Sequence, residues 1–162
     1  MTLTAYIGLG ANLGQPAVQV SAAIAALARA SGVTLLKQSS LYRSSAIGQT
    51  DQPDYCNAVC SLQTQLDVES LFDLMITIEQ AAGRVRDGTR WGPRMLDLDL
   101  LHVENVQLDS IRLTLPHPEI ARRNFVLVPL AEVVPELEIP RVGRIVELAA
   151  GVSRSGLSLW LA

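Results

Sequence analysis

The hydrophobic positions along this chain change their period in a regular order. Thr4 to Leu9 is a short, β-rich apolar run entering the turn cluster Gly10-Ala11-Asn12-Leu13-Gly14, and Pro16 stands where a first helical residue belongs. Val20, Ile24, Leu27 and Ala28 then recur at helical spacing until Gly32 closes the helix, and Val33 to Tyr42 reads as a second strand. Residues 43 to 54 are dense in turn formers and too long for a simple hairpin connection. From Tyr55 to Leu66 the pattern alternates, with Cys56, Ala58, Cys60 and Leu62 on one face and Tyr55, Asn57, Val59 and Ser61 on the other. Asp67 caps a helix whose apolar stripe is Leu71, Leu74, Met75, Ile78 and Ala82, and Gly83 ends it. Residues 84 to 94 form a second long, charged loop and Met95 to Val103 a further strand; beyond Pro116 come shorter helical pieces around Pro129, Pro135 and Pro140 without clear periodicity.

The order β-α-β, β-α-β, with each helix covering one face of a sheet, predicts an α+β fold: a ferredoxin-like (split βαβ) sandwich, an antiparallel sheet with helices packed on it. At 162 residues, one domain over 1–162 is the expected organisation, with no repeat, linker or low-complexity tract. Apolar residues make up 49% but aromatics only 4%, so the core must be aliphatic and the few rings are informative. A net charge of −3 and a pI near 5.3 argue against a chain-wide footprint for nucleic acid or anionic membrane. Met1 to Ala11 lacks the basic start and long apolar run of a leader, and no segment reaches the roughly 18 apolar residues of a membrane span. Cys56 and Cys60, roughly 13 Å apart at strand rise, are expected as unbridged buried thiols, which fits a cytoplasmic protein.

That fold hosts many functions, so chemistry has to be argued from the site. The informative stretch runs from Arg84 to Leu101. Its first half sets Arg84, Arg86, Arg90 and Arg94 against Asp87, while Gly88, Gly92 and Pro93 deny it a regular helix, giving a cationic loop suited to polyphosphate. In the second half Asp97 and Asp99 are two apart on a strand otherwise made of Leu, so both carboxylates share a face with about 6.6 Å between their Cα atoms. Such a pair repels itself unless a cation neutralises it, and all-oxygen ligands favour Mg²⁺ held jointly with phosphate oxygens. An Asp-x-Asp pair also suits the polar face of an edge strand; the arginine loop directly upstream is what favours the metal.

Two familiar nucleotide signals are absent. Gly8-x-Gly10-x-x-x-Gly14 misses the dinucleotide fingerprint and lacks the Gly-Lys-Ser/Thr ending of a P-loop, so Gly10 to Gly14 is read as a strand-to-helix turn. Lys37 is the chain's only lysine, which leaves phosphate to arginine and metal. Tyr55 and Asn57 share a strand face, Trp91 sits in the cationic loop, and Phe125 follows Arg122-Arg123; these rings could stack on a planar heterocycle if the fold brings them together.

Arg90-Trp91-Gly92-Pro93-Arg94 followed by Leu96-Asp97-Leu98-Asp99-Leu100 closely resembles the signature of the 6-hydroxymethyl-7,8-dihydropterin pyrophosphokinase family. The likeness also takes in Tyr6 to Gly14, Ser40-Leu41-Tyr42-Arg43, Asp51 to Ala58 and Leu115-Pro116-His117-Pro118. The resemblance implies a ferredoxin-like, usually monomeric enzyme that passes pyrophosphate from ATP to a pterin alcohol. It implies that Asp97 and Asp99 ligate two Mg²⁺ ions and that Arg84 and Arg94 engage the phosphates during transfer. Arg86, Trp91, Leu100, Arg112, Thr114, His117 and Arg123 would be ATP contacts. The pterin is expected between Trp91 and Phe125, with Asn57 and the backbone of the 44–47 loop (Ser44, Ser45, Ile47) reading its edge and Tyr55 beside it. Ser45, Ile76 and Pro118 depart from residues that some relatives carry. Small molecules are the expected partners. A nucleotidyl transferase with a palm-like two-metal site and a non-catalytic ferredoxin-like binding module remain as alternatives.

Overall fold

The computed structural model describes residues 1–45, 52–83 and 96–161. Its strands are β1 (Leu3–Ala11), β2 (Val33–Gln38), β3 (Tyr42–Ser44), β4 (Tyr55–Thr64), β5 (Asp97–Val103), β6 (Leu108–Asp109), β7 (Thr114–Leu115), β8 (Glu138–Ile139), β9 (Gly143–Arg144) and β10 (Leu157–Leu159). Four helices accompany them: α1 (Pro16–Arg29), α2 (Val68–Ala81), α3 (Asn124–Val133) and α4 (Ile145–Gly151).

The main sheet runs β10-β3-β4-β1-β5, with β2 also paired to β4, and every pairing in it is antiparallel. Taking β2 and β3 as one unit, the order is that of a split βαβ sheet, as expected. The faces follow the period of two. Ala5, Ile7 and Leu9 of β1 and Cys56, Ala58, Cys60 and Leu62 of β4 pack with Val20, Ile24 and Leu27 of α1 and Leu71 and Met75 of α2. On the other face Tyr6 and Val59 meet Val126, Leu127 and Leu130 of α3 and Ile145 and Ala149 of α4. Both thiols are buried and free, and burial pushes Cys56 up to about 11 and Cys60 up to about 12. Among the described residues no helix is long and apolar enough to cross a membrane.

Three sequence expectations need correction. The strand expected over Val33 to Tyr42 is two strands along the same edge of β4, broken at Ser39–Leu41. There the Ser39 hydroxyl accepts from the Val59 N–H and the Ser40 N–H and hydroxyl donate to Glu132 of α3, so side chains replace regular pairing. The turn expected at Gly10 begins later, because Gly10 and Ala11 are paired within β1. Of the helical pieces expected around Pro129, Pro135 and Pro140, only the first forms, since Pro135 lies in the turn before β8 and Pro140 in the turn between β8 and β9; α3 shows no helical period because it lies between the sheet and α4 with Val126 to Leu130 all buried, leaving no polar face to alternate with.

Candidate active site

The floor of the site is the face of β1 that carries Gly8 and Gly10. Gly8 lies beside Val59 of β4 and Asp99 of β5, and Gly10 beside Asn57 and Asp97. A Cβ on Gly10 would stand 3.0 Å from Asn57 Oδ1, so glycine alone keeps this strip clear. Over it opens a cavity of about 430 Å³.

One wall is the start of β5. Asp97 and Asp99 project into the cavity while Leu98 and Leu100 turn to the core, as a strand requires. Behind this wall Glu79 of α2, 4% exposed, accepts the Leu98 N–H at 2.7 Å, which holds the backbone between the two aspartates. The opposite wall is Ser44, Ser45, Tyr55 and Asn57, where Asn57 Nδ2 donates to Ser44 Oγ at 2.6 Å. The third side is built by the chain entering α3: Glu119 and Arg122, which pair with each other, then Arg123, Phe125 and Val126. Arg123 approaches Asp99 to 4.0 Å and sits 5.7 Å from the centre of the Phe125 ring. Beyond the end of β1, Asn12 donates to Gln52 Oε1 and the Pro53 carbonyl, each at 3.1 Å.

The chemistry of these groups divides along the cavity. At one end two carboxylates share a face, and among the described residues no cluster of three or more His, Cys, Asp or Glu forms a closed metal centre. Two oxygen donors with room above them fit a hydrated divalent cation that takes its remaining ligands from water or phosphate. At the other end an amide and two aromatic rings suit the edge and faces of a planar heterocycle.

Of the residues singled out in the sequence, Ser44, Ser45, Tyr55, Asn57, Asp97, Asp99, Arg123 and Phe125 line this one cavity. Leu100 points instead into the core under α2. Arg112 is ion-paired with Glu69 and Asp73 of α2 and stacks 4.9 Å from the centre of the Phe72 ring. Thr114 lies in the small β6–β7 hairpin. His117 is half-buried; its backbone N–H donates to the Leu101 carbonyl, and its ring Nδ1 accepts from the Glu119 N–H at 3.1 Å. Burial holds this imidazole below its ordinary range and the Asp99 carboxylate partly opposes that, so the neutral ring presents Nε2 as its donor. Ile47, Arg84, Arg86, Trp91 and Arg94 lie outside the described residues.

Gly8, Gly10, Glu119, Arg122 and Glu79 do not stand out in the sequence as part of a site. Two glycines alternating inside a strand, and a carboxylate at the fourth position after Met75 on an apolar stripe, were the available signals.

Comparison with known proteins bears on the family and the fold. Residues 6–135 match the family model of 7,8-dihydro-6-hydroxymethylpterin-pyrophosphokinase. The chain is 44% identical over 146 residues to the 2-amino-4-hydroxy-6-hydroxymethyldihydropteridine pyrophosphokinase of Haemophilus influenzae, covering 90% of this chain and 91% of the relative. It is 42% identical over 152 residues to the protein of that name from Pseudomonas aeruginosa, covering 94% and 93%. Among solved structures it resembles Plasmodium falciparum HPPK-DHPS, wild type with pteroate, at a TM-score of 0.72 and 13% identity, over 93% of this chain and 42% of that one. The chain thus spans less than half of that longer protein, and at this identity the likeness speaks for the fold, a ferredoxin-like one. From the family match and the two close relatives, this chain belongs to the 7,8-dihydro-6-hydroxymethylpterin-pyrophosphokinase family.

Proposed function

We propose that this chain transfers the terminal pyrophosphate of ATP to 6-hydroxymethyl-7,8-dihydropterin, yielding AMP and the pterin diphosphate for folate biosynthesis. The observation that carries the reading is one cavity in which two glycines of β1 separate a wall bearing Asn57 from the carboxylate pair Asp97 and Asp99.

Asn57 gives its amide N–H to Ser44 and keeps its Oδ1 on the cavity side, an acceptor for the amino edge of a pterin. Phe125 offers one stacking face, Trp91 is assigned the other, and Tyr55 with the 44–47 backbone, including Ser45 and Ile47, borders the ring. Asp97 and Asp99 are assigned two Mg²⁺ ions. Bound there, magnesium would neutralise the polyphosphate and polarise the phosphorus under attack. Arg123 stands beside Asp99, and Arg84 and Arg94 are assigned the transferring phosphates; Arg86, Trp91, Arg112, Thr114 and His117 are assigned the rest of the nucleotide. The hydroxymethyl oxygen forms a bond to the β-phosphorus, the bond from that phosphorus to the oxygen bridging the α-phosphorus breaks, and AMP departs with that oxygen while the hydroxyl proton passes to solvent. No side-chain nucleophile is needed, so the residues act by orientation and by stabilising charge. The same reading makes the chain a monomeric, cytoplasmic single domain over residues 1–162 with small-molecule partners only; its net charge of −3 supports the exclusion of nucleic acid.

The test is to mix the protein with Mg-ATP and hydroxymethyldihydropterin and separate the nucleotides. AMP is the expected product, and Asp97→Ala should lower its formation by about a hundredfold or more with the circular dichroism unchanged. Release of inorganic pyrophosphate in place of AMP, or full turnover by Asp97→Ala, overturns the proposal.

A further inference from the structure

The wall assigned to the pterin edge is supported by very little regular structure. β3 is three residues long, and its last member, Ser44, is the first of the two serines lining the cavity. On its inner side Ser44 is in register with Tyr55 of β4; on its outer side it is in register with Leu157 of β10. The C-terminal strand is therefore the only outer neighbour of β3 among the described residues.

Three contacts make that neighbour a clamp. The Trp160 backbone N–H donates to the Leu41 carbonyl at 2.9 Å, extending the pairing past both strands. On the face away from the cavity the Arg43 guanidinium lies 4.0 Å from the centre of the Trp160 ring and 3.6 Å from Asp54, the residue that precedes Tyr55. One side chain thus joins β10, β3 and the start of β4 directly behind Ser44, Tyr55 and Asn57. Ahead of β10, Gly156 adopts φ +76, and a Cβ there would stand 3.1 Å from Ser45 Oγ, so this turn abuts the second cavity serine.

The same segment reaches the facing wall. Asn124, the first residue of α3, donates through Nδ2 to the carbonyls of Ser153 and Ser155 at 2.9 and 3.1 Å. Asn124 sits between Arg123 and Phe125, both of which line the cavity. A groove of about 320 Å³ separates the two walls at this end, and Val152, Ser153, Ser155 and Gly156 bound it.

We infer that residues 153–160 are a positioning element for the pterin half of the site, in which Trp160, through Arg43, sets the spacing between the Ser44–Asn57 wall and Phe125. The inference rests on the assignment of that half to the pterin. The carboxylate half is remote from the clamp: β4 and β1 lie between β3 and β5 in the sheet. Loosening the clamp should therefore weaken pterin binding and leave the nucleotide alone.

The experiment measures KM for hydroxymethyldihydropterin and for ATP separately in the full chain. Trp160→Ala should raise the pterin KM roughly fivefold to tenfold, the scale of one lost cation–π contact, with the ATP KM and the kcat at saturating pterin held within about twofold. Trp160→Phe, which keeps a ring under Arg43, should stay near wild type. Should Trp160→Ala fail to fold, Arg43→Gln, which cuts the same link from the other side, is expected to show the same split. An unchanged pterin KM, or both KM values rising together, overturns the inference. Absence of AMP formation by the wild-type chain would instead overturn the functional reading beneath it.

Discussion

Asp97, Asp99, Glu79 and His102 show how differently polar side chains reveal themselves. The two aspartates are legible in the sequence because a strand repeats every two residues, and the structure sets both on the cavity face. His102 is not. It is 3% exposed, its ring stacks on Tyr6 with centroids 6.0 Å apart, and among the described residues its Nδ1 has no hydrogen-bond partner. Burial lowers its proton affinity, partly opposed by the Glu104 carboxylate. The unfolded chain therefore takes up the proton first as pH falls below about 6.5, so the folded state loses stability between that pH and the lower folded value. His102→Phe keeps the stack and removes the orphan acceptor. It should raise Tm by about 3 °C at pH 7, with a larger gain at pH 5, as followed by thermal melts at both pH values. A variant that melts below wild type at pH 5 would contradict this account.

At the scale of elements, the join between α2 and β5 matters most. Helices α1 and α2 follow from the recurrence of Val20, Ile24 and Leu27 and of Leu71 and Met75, because each buries one face and solvates the other. What that recurrence does not disclose is that Glu79 sits among those buried positions, since its purpose exists only once Leu98 arrives beneath it. Glu79→Ala leaves the Leu98 N–H without this acceptor and should cost about 1–3 kcal/mol in urea unfolding. Turnover should fall as well, because the freed backbone carries both aspartates. Glu79→Gln retains an acceptor oxygen and should lose distinctly less on both measures; equal losses in the two variants would show that the hydrogen bond is not what matters. The break between β2 and β3 was likewise hidden. It depends on Glu132, some ninety residues away, capturing Ser40 and Tyr42.

Across the whole molecule the sheet carries two cores, and the second explains why the C-terminal third resisted reading. A helix between a sheet and another helix has no wet side, so α3 shows continuous apolar character where an amphipathic stripe would have announced it. Leu127, fully buried in that layer, tests its weight. Leu127→Ala should cost about 2–5 kcal/mol in denaturant unfolding; a loss below about 1 kcal/mol would mean that this layer hardly contributes. The placement of α3 also has a functional side, because its N-terminal approach brings Arg123 and Phe125 over β1.

Periods of two and of 3.6 residues are properties of neighbouring positions, and they were enough to yield the order of elements from β1 to β5 apart from the β2–β3 break, the face shared by Asp97 and Asp99, and the alternation that puts Asn57 opposite Cys56. The cavity is a matter of register. Gly10 meets Asn57 on one side and Asp97 on the other only because β1 pairs with β4 and β5 at those offsets. Arg123 and Phe125 come from the start of α3, about 115 residues after Gly8 and Gly10 and packed on the same face of the sheet. Contacts between residues so distant along the chain are selected by the packing of both cores at once, and no local period in the amino-acid string encodes that choice.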